Sequence, residues 1–171
     1  AAPQPLPRGR AVVVMANTHG MVSLAVQAST QGGFEVGRAV DVPPPADASK
    51  LAEHIVHAFE AKDPDDSALP QSVLLALAPA APEPVDLDVA MDAVPQGVPV
   101  LAVLADQPES VAVYRCRAQH EHVLPCYNDA AAAAEALAVA RRAGRVKQLS
   151  PARVEYPADV DLQDLRGIIE A

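Results

Sequence analysis

Aromatic side chains are nearly missing from this chain: there is no Trp, and Tyr and Phe together make up only 3% of 171 residues. A core without rings has to be filled by Ala, Val and Leu, which favours helices packed closely on a sheet and argues against an aromatic-lined ligand pocket. Cysteine is scarce too. Cys116 and Cys126 are too few for a disulfide framework and are expected to be reduced, buried thiols in a cytoplasmic protein. No apolar run approaches the ~18–20 residues that cross a bilayer, and residues 1–10 lack the apolar middle of a secretion signal, so neither a membrane partner nor export is expected. No Lys/Arg run offsets the formal net charge of −9, which sets nucleic acid aside as a partner. Also missing are a Gly-x-x-x-x-Gly-Lys phosphate loop, a Gly-x-Gly-x-x-Gly after the first strand, a Gly-x-Ser-x-Gly elbow and a Cys-x-x-Cys pair. Their absence argues against a self-sufficient nucleotide hydrolase, dehydrogenase or serine hydrolase.

What is present is a regular alternation of strand and helix signals in a chain of single-domain length. Residues 1–9 hold three prolines among small residues and read as an extended linker. Residues 11–16, Ala-Val-Val-Val-Met-Ala, form the uninterrupted apolar run of a strand buried on both faces. Asn17-Thr18-His19-Gly20 then turns the chain into a helix carrying Met21, Val22, Leu24, Ala25 and Ala28, which Gly32-Gly33 stops. A weaker edge strand is expected within 34–42, ended by three prolines. Next comes a helix capped by Asp47 or Ser49 with Leu51, Ile55, Val56 and Phe59 on its inner stripe. Further strands are expected at 73–78, 100–104 and 123–127, with helices at 85–94 and 130–143. Asn128 or Asp129 caps the last helix, and Gly144 closes it. The stretch 109–122 fits either a helix or an extra strand, with helix preferred. This order predicts an α/β fold with a five-stranded, mostly parallel open sheet over 10–144, and an extension over 145–171 leading towards a further domain.

Chemistry concentrates in the first turn. Beyond the carboxyl ends of parallel strands lies the usual ligand crevice, and a helix N-terminus offers free N–H groups and a positive dipole end. Asn17, Thr18, His19, Gly20 and Met21 are therefore candidate phosphate-binding residues. The same residue types also suit any strand-to-helix turn, and His19 fits a half-exposed cap as well as an anion donor or a phosphoryl acceptor. His54 and His57 share a helix face but have no third ligand, so no metal site is expected. His120 and His122 read as a solvated loop. Asp63, Asp65, Asp66, Asp86 and Asp88 read as turn and capping acids rather than an acid/base pair. No catalytic residue is expected in this chain.

Four segments occur in a telling order: Leu6-Pro7-Arg8-Gly9-Arg10 before Ala11-Val12-Val13-Val14, then Asn17-Thr18-His19-Gly20, Val98-Pro99-Val100-Leu101-Ala102, and Leu124-Pro125-Cys126-Tyr127 before an alanine-rich helix. The pattern, over nearly the whole chain, resembles the third domain of the NDP-forming acyl-CoA synthetases. These are relatives of succinyl-CoA synthetase and include versions fused to a GNAT acetyltransferase domain. The resemblance implies a three-layer, flavodoxin-like fold that works beside a CoA-binding domain, a phosphohistidine domain and an ATP-grasp domain. The parent enzyme would use CoA, ATP/ADP and Mg2+, while this piece is expected to bind no cofactor and to be inactive alone. Asn17 and Gly20 match the family's Asn-x-Gly-Gly turn, whose helix end faces the phosphohistidine of the neighbouring domain. His19 stands where the family commonly has glycine, so a side chain occupies the path of close backbone approach. The family's Ser-His-Thr-Gly-like motif has no match here, so His19 does not inherit phosphorylation. The resemblance leaves open a regulatory or ligand-sensing module of an acetyltransferase fusion, and an exposed docking face leaves open pairing of two copies. A flavin-binding flavodoxin is disfavoured by the lack of aromatics.

Overall fold

A strand with neighbours on both sides and helices on both faces must be apolar at every position. Residues 11–16, 72–77 and 100–104 come close to that rule, and they form the centre of the sheet. The computed structural model describes residues 4–42, 48–60, 70–79, 87–115 and 123–148. In chain order the elements are β1 (Ala11–Ala16), α1 (His19–Gln31), β2 (Glu35–Asp41), α2 (Ala48–Phe59), β3 (Ser72–Leu77) and α3 (Leu87–Asp92). β4 (Val100–Leu104), β5 (Val111–Arg115), β6 (Val123–Tyr127) and α4 (Ala130–Gln148) follow. The sheet order is β2-β1-β3-β4-β6-β5, with every pair parallel except β5 and β6. The fold is thus α/β, built on a six-stranded, mostly parallel open sheet.

Alternation along the strands divides the core in two. Val13, Met15, Leu75 and Ala102 point to one face, where Leu51 and Ile55 of α2 and Leu87 and Met91 of α3 cover them. Val12, Val14, Leu74 and Val103 point to the other, under Ala25 and Ala28 of α1 and Ala133, Ala134 and Leu137 of α4. Alanine on the second face brings backbone close to backbone: a Cβ on Gly32 would sit 3.4 Å from the Ala134 carbonyl oxygen. Asp129 accepts from the Ala132 N–H at 2.9 Å and caps α4.

The structure departs from the sequence expectations at four places. Residues 111–115 form a sixth strand, not part of a helix. Val111 and Val113 favour extended backbone, and the full ladder with β6 outweighs a weak helical pattern. Residues 116–122 lie outside the described residues. The inner stripe of α2 is Leu51, Ile55 and Ala58 with Phe59 half-buried, whereas Val56, one position round from Ile55, is 48% exposed. Ser49 lies inside α2 rather than at its cap, and Asp47 is outside the described residues. Finally, α4 does not stop at Gly144 but runs on to Gln148.

Gly144 has a packing reason. A Cβ there would lie 3.0 Å from the Pro7 carbonyl oxygen and 3.2 Å from Leu6 Cβ, so the incoming chain crosses α4 at this glycine. Residues 4–9 are docked on the body rather than free of it. Gln4 accepts from the Val100 N–H at 2.8 Å and donates to the Val123 carbonyl at 2.6 Å. That amide fills a gap that proline makes. Pro125 has no N–H to give β4, and the β4–β6 pairing starts only at Ala102 and Cys126, so the Gln4 side chain bridges the two strands below it.

Replacing Gln4 with Ala leaves the Val100 N–H and Val123 carbonyl unpaired and should cost about 1–3 kcal/mol in urea unfolding. Gly144→Val should cost about as much by crowding Pro7. An unchanged midpoint in both variants would show that the lead-in segment does not hold this edge of the sheet.

Candidate functional site

The chain leaves β1 for β2 on one side and returns past β1 to β3 on the other, so the strand order reverses between β1 and β3. In open α/β sheets the crevice beyond the strand ends at such a reversal is where ligands bind. Here the floor of that crevice is closed by one amide. Asn17 is 3% exposed; its Oδ1 accepts from the Ala78 N–H at 2.8 Å and its Nδ2 donates to the Ala78 carbonyl at 2.7 Å. The side chain imitates one more residue of strand pairing and joins β1 to β3 just past their last backbone pairs. Both ends of the Asn17 amide are engaged with Ala78, and the side chain is buried, so the residue serves as the floor of the crevice.

Above that floor α1 begins. Thr18 is extended (φ −145°, ψ 148°) and is the N-cap: its Oγ1 accepts from the Met21 N–H at 3.3 Å, and its carbonyl accepts from the Val22 N–H at 3.0 Å. The N–H groups of His19 and Gly20 are left with no acceptor among the described residues, and both residues are exposed. A Cβ on Gly20 would meet nothing within 4 Å, and its φ is not positive, so neither contacts nor backbone demand glycine there. The His19 side chain is 88% exposed, with Nδ1 3.7 Å from a carboxylate oxygen of Asp41 at the end of β2.

Met21 belongs elsewhere. Its N–H is taken by the cap, and its side chain packs on the α1/α4 core and lines a groove of about 330 Å³ between those helices, with Leu24, Ala28, Val103, Ala105 and Asp129. Of the five candidate residues, the structure gathers Thr18, His19 and Gly20 at the open helix end and assigns Asn17 and Met21 to the framework. Sequence reasoning missed the Asn17–Ala78 bridge because its two partners are 61 residues apart. The single available signal was an amide ending an otherwise apolar run.

The other polar clusters are less organised. His54 and His57 lie with Glu53 and Glu60 along an open hollow on α2, where His57 Nδ1 is 3.1 Å from Glu60 Oε2. Among the described residues no group of three or more His, Cys, Asp or Glu could hold a metal ion. Asp88 lies in the first turn of α3. His120, His122, Asp63, Asp65, Asp66 and Asp86 lie outside the described residues, as does Cys116. Cys126 is a free, buried thiol. Desolvation raises its pKa, against a smaller opposing hydrogen bond from the Tyr114 backbone. Among the described residues no helix is long and apolar enough to cross a membrane.

Three tests follow from this geometry. Asn17→Ala leaves the part-buried N–H and carbonyl of Ala78 without their partner and should cost about 1–3 kcal/mol, whereas Gly20→Ala should be neutral or stabilise by up to ~1 kcal/mol. Denaturant titration distinguishes them, and equal midpoints for the two variants would overturn the bridge. The unfolded chain ionises Cys126 before the folded one does, so stability should decline as pH rises into the alkaline range. In a Cys116→Ser background the Cys126 thiol should react with a thiol reagent only as fast as the fold opens, and reaction at the rate of a free thiol would contradict its burial.

The sequence matches no model of a known protein family, and no curated protein is significantly similar to it.

Proposed function

We propose that this chain is a flavodoxin-like module of an NDP-forming acyl-CoA synthetase-type protein, and that it presents the N-terminus of α1 to a phosphorylated group carried by a neighbouring domain. The observation that carries the reading is the pair of unfilled N–H groups at His19 and Gly20, exposed above the reversal point of the sheet. Two parallel N–H groups at the positive end of a 13-residue helix suit a phosphoryl oxygen. The His19 imidazole and the Asp41 carboxylate 3.7 Å from it stand beside them, but the resemblance places the phosphorylated histidine in another domain, so on this reading the module positions and neutralises rather than reacts. CoA, nucleotide and Mg2+ would be held by other domains, and the chain alone would be inactive.

The Asp41 carboxylate favours a second reading. Standing 3.7 Å from His19 Nδ1, it sets negative charge beside the helix end where an anion would approach. A regulatory or ligand-sensing module of an acetyltransferase fusion, which does not have to meet a phosphoryl group, tolerates that neighbour.

Titration with inorganic phosphate, followed through amide chemical shifts, separates the two. The first reading predicts shifts confined to His19, Gly20 and the rest of the first turn, larger in Asp41→Asn and tighter in His19→Gly. No response at millimolar phosphate in any of the three proteins would refute it and leave the regulatory module.

A further inference from the structure

A strand at the rim of a sheet leaves every second N–H and C=O unpaired, and proteins blunt such rims with charge, bulges or cover. The two rims of this sheet differ. β2 carries Glu35, Arg38 and Asp41 and is bulged where Gly37 falls between the partners of Val12 and Val13. β5 is regular, has no charge before Arg115, and leaves Val111 50% and Val113 58% exposed on one face. The Asn128 N–H donates to the Ser110 carbonyl, and Ala112 and Tyr114 stand opposite Cys126 and Leu124. The even-numbered residues of β5 therefore turn their backbone groups inward to β6. Val111, Val113 and Arg115 turn theirs outward, where no described residue meets them.

We propose that β5 pairs antiparallel with β5 of a second copy of this chain, with Ala112 on the two-fold axis. Three features select that register. Outward-facing groups meet only when odd residues stand opposite odd ones, which rules out an axis lying between two residues. With Ala112 on the axis, Val111 stands opposite the partner's Val113 and Glu109 opposite the partner's Arg115, and symmetry repeats each pair. Moving the axis to Val113 sets Val111 against a guanidinium, and moving it to Val111 sets Glu109 against valine. Glu109, in the bend two residues before β5 with its carbonyl accepting from Gln107 Nε2, and Arg115 are both exposed, and neither side chain has an ion-pair partner among the described residues. The pairing makes one continuous sheet of the two copies and gathers four valines on the face that α4 covers. It rests on β5 alone and is independent of the reading of α1.

Sedimentation equilibrium of the 171-residue chain tests it. Between about 1 and about 300 μM the mass should rise from 17.8 kDa towards twice that value. Glu109→Arg and Arg115→Glu should each weaken the dimer by about tenfold, because each reversal acts at both symmetric pairs, and the double variant should regain the dimer. Val113→Pro removes an outward N–H that β6 does not use and should leave a folded monomer by circular dichroism. A mass that stays monomeric throughout overturns the proposal. So does a dimer indifferent to the reversals, failure of the double variant to recover, or growth beyond the dimer.

Discussion

Two hydrogen bonds from one buried amide set the shape of the crevice that this fold offers to a ligand. Parallel strands end in unpaired backbone groups, and at the point where the chain reverses direction across the sheet no further strand residue is available to pair them. Asn17 supplies the missing pairing from its side chain, satisfying both the N–H and the carbonyl of Ala78. With β1 and β3 joined there, Thr18 follows directly as the cap, α1 starts at a fixed height above the sheet, and His19 and Gly20 have nowhere to send their N–H groups except outward. This end of the molecule therefore gathers two outward amides, the exposed His19 imidazole and the Asp41 carboxylate 3.7 Å from its Nδ1.

The opposite end of the sheet is completed in the same manner. Pro125 interrupts the pairing between β4 and β6, and the Gln4 amide spans the break. Side-chain amides thus replace backbone pairing at both ends of the central strands, once where topology runs out of residues and once where proline lacks its donor. The lead-in residues become part of the fold through Gln4 and through the crossing at Gly144, where the smallest residue admits the Pro7 carbonyl. A core built largely from alanine, valine and leucine, in which Phe34 is the one buried ring among the described residues, depends on such close approaches to fill its gaps.

The central architecture was legible because burial on both faces writes itself as continuous apolar runs: residues 11–16 and 100–104 could hardly be anything but inner parallel strands. The start of α4 was legible at Asn128 or Asp129, and the turn at 17–20 as the start of α1, for a similarly local reason. Elements whose state depends on distant partners were not. Val111–Arg115 becomes a strand only because β6 accepts it, and its alternation over five residues is too short to exclude a helix. Gly144 carries the ordinary mark of a helix end, yet its role is set by Pro7, far away in sequence. The same limit applies to the site. The turn could be identified as the helix start facing the crevice, but whether Asn17 faces a ligand or Ala78 depends on a contact that no local pattern encodes.

Hydrogen exchange at the Ala78 amide tests this dependence most directly. Ala78 lies one residue beyond β3, where a loop amide would exchange freely, and its N–H is directed at Asn17 Oδ1. Protection comparable to that of the inner β3 amides, lost in Asn17→Ala while those of β3 persist, is the predicted result. Exchange at the rate of an exposed loop in the unaltered protein would contradict the bridge and, with it, the arrangement of the α1 terminus that depends on it.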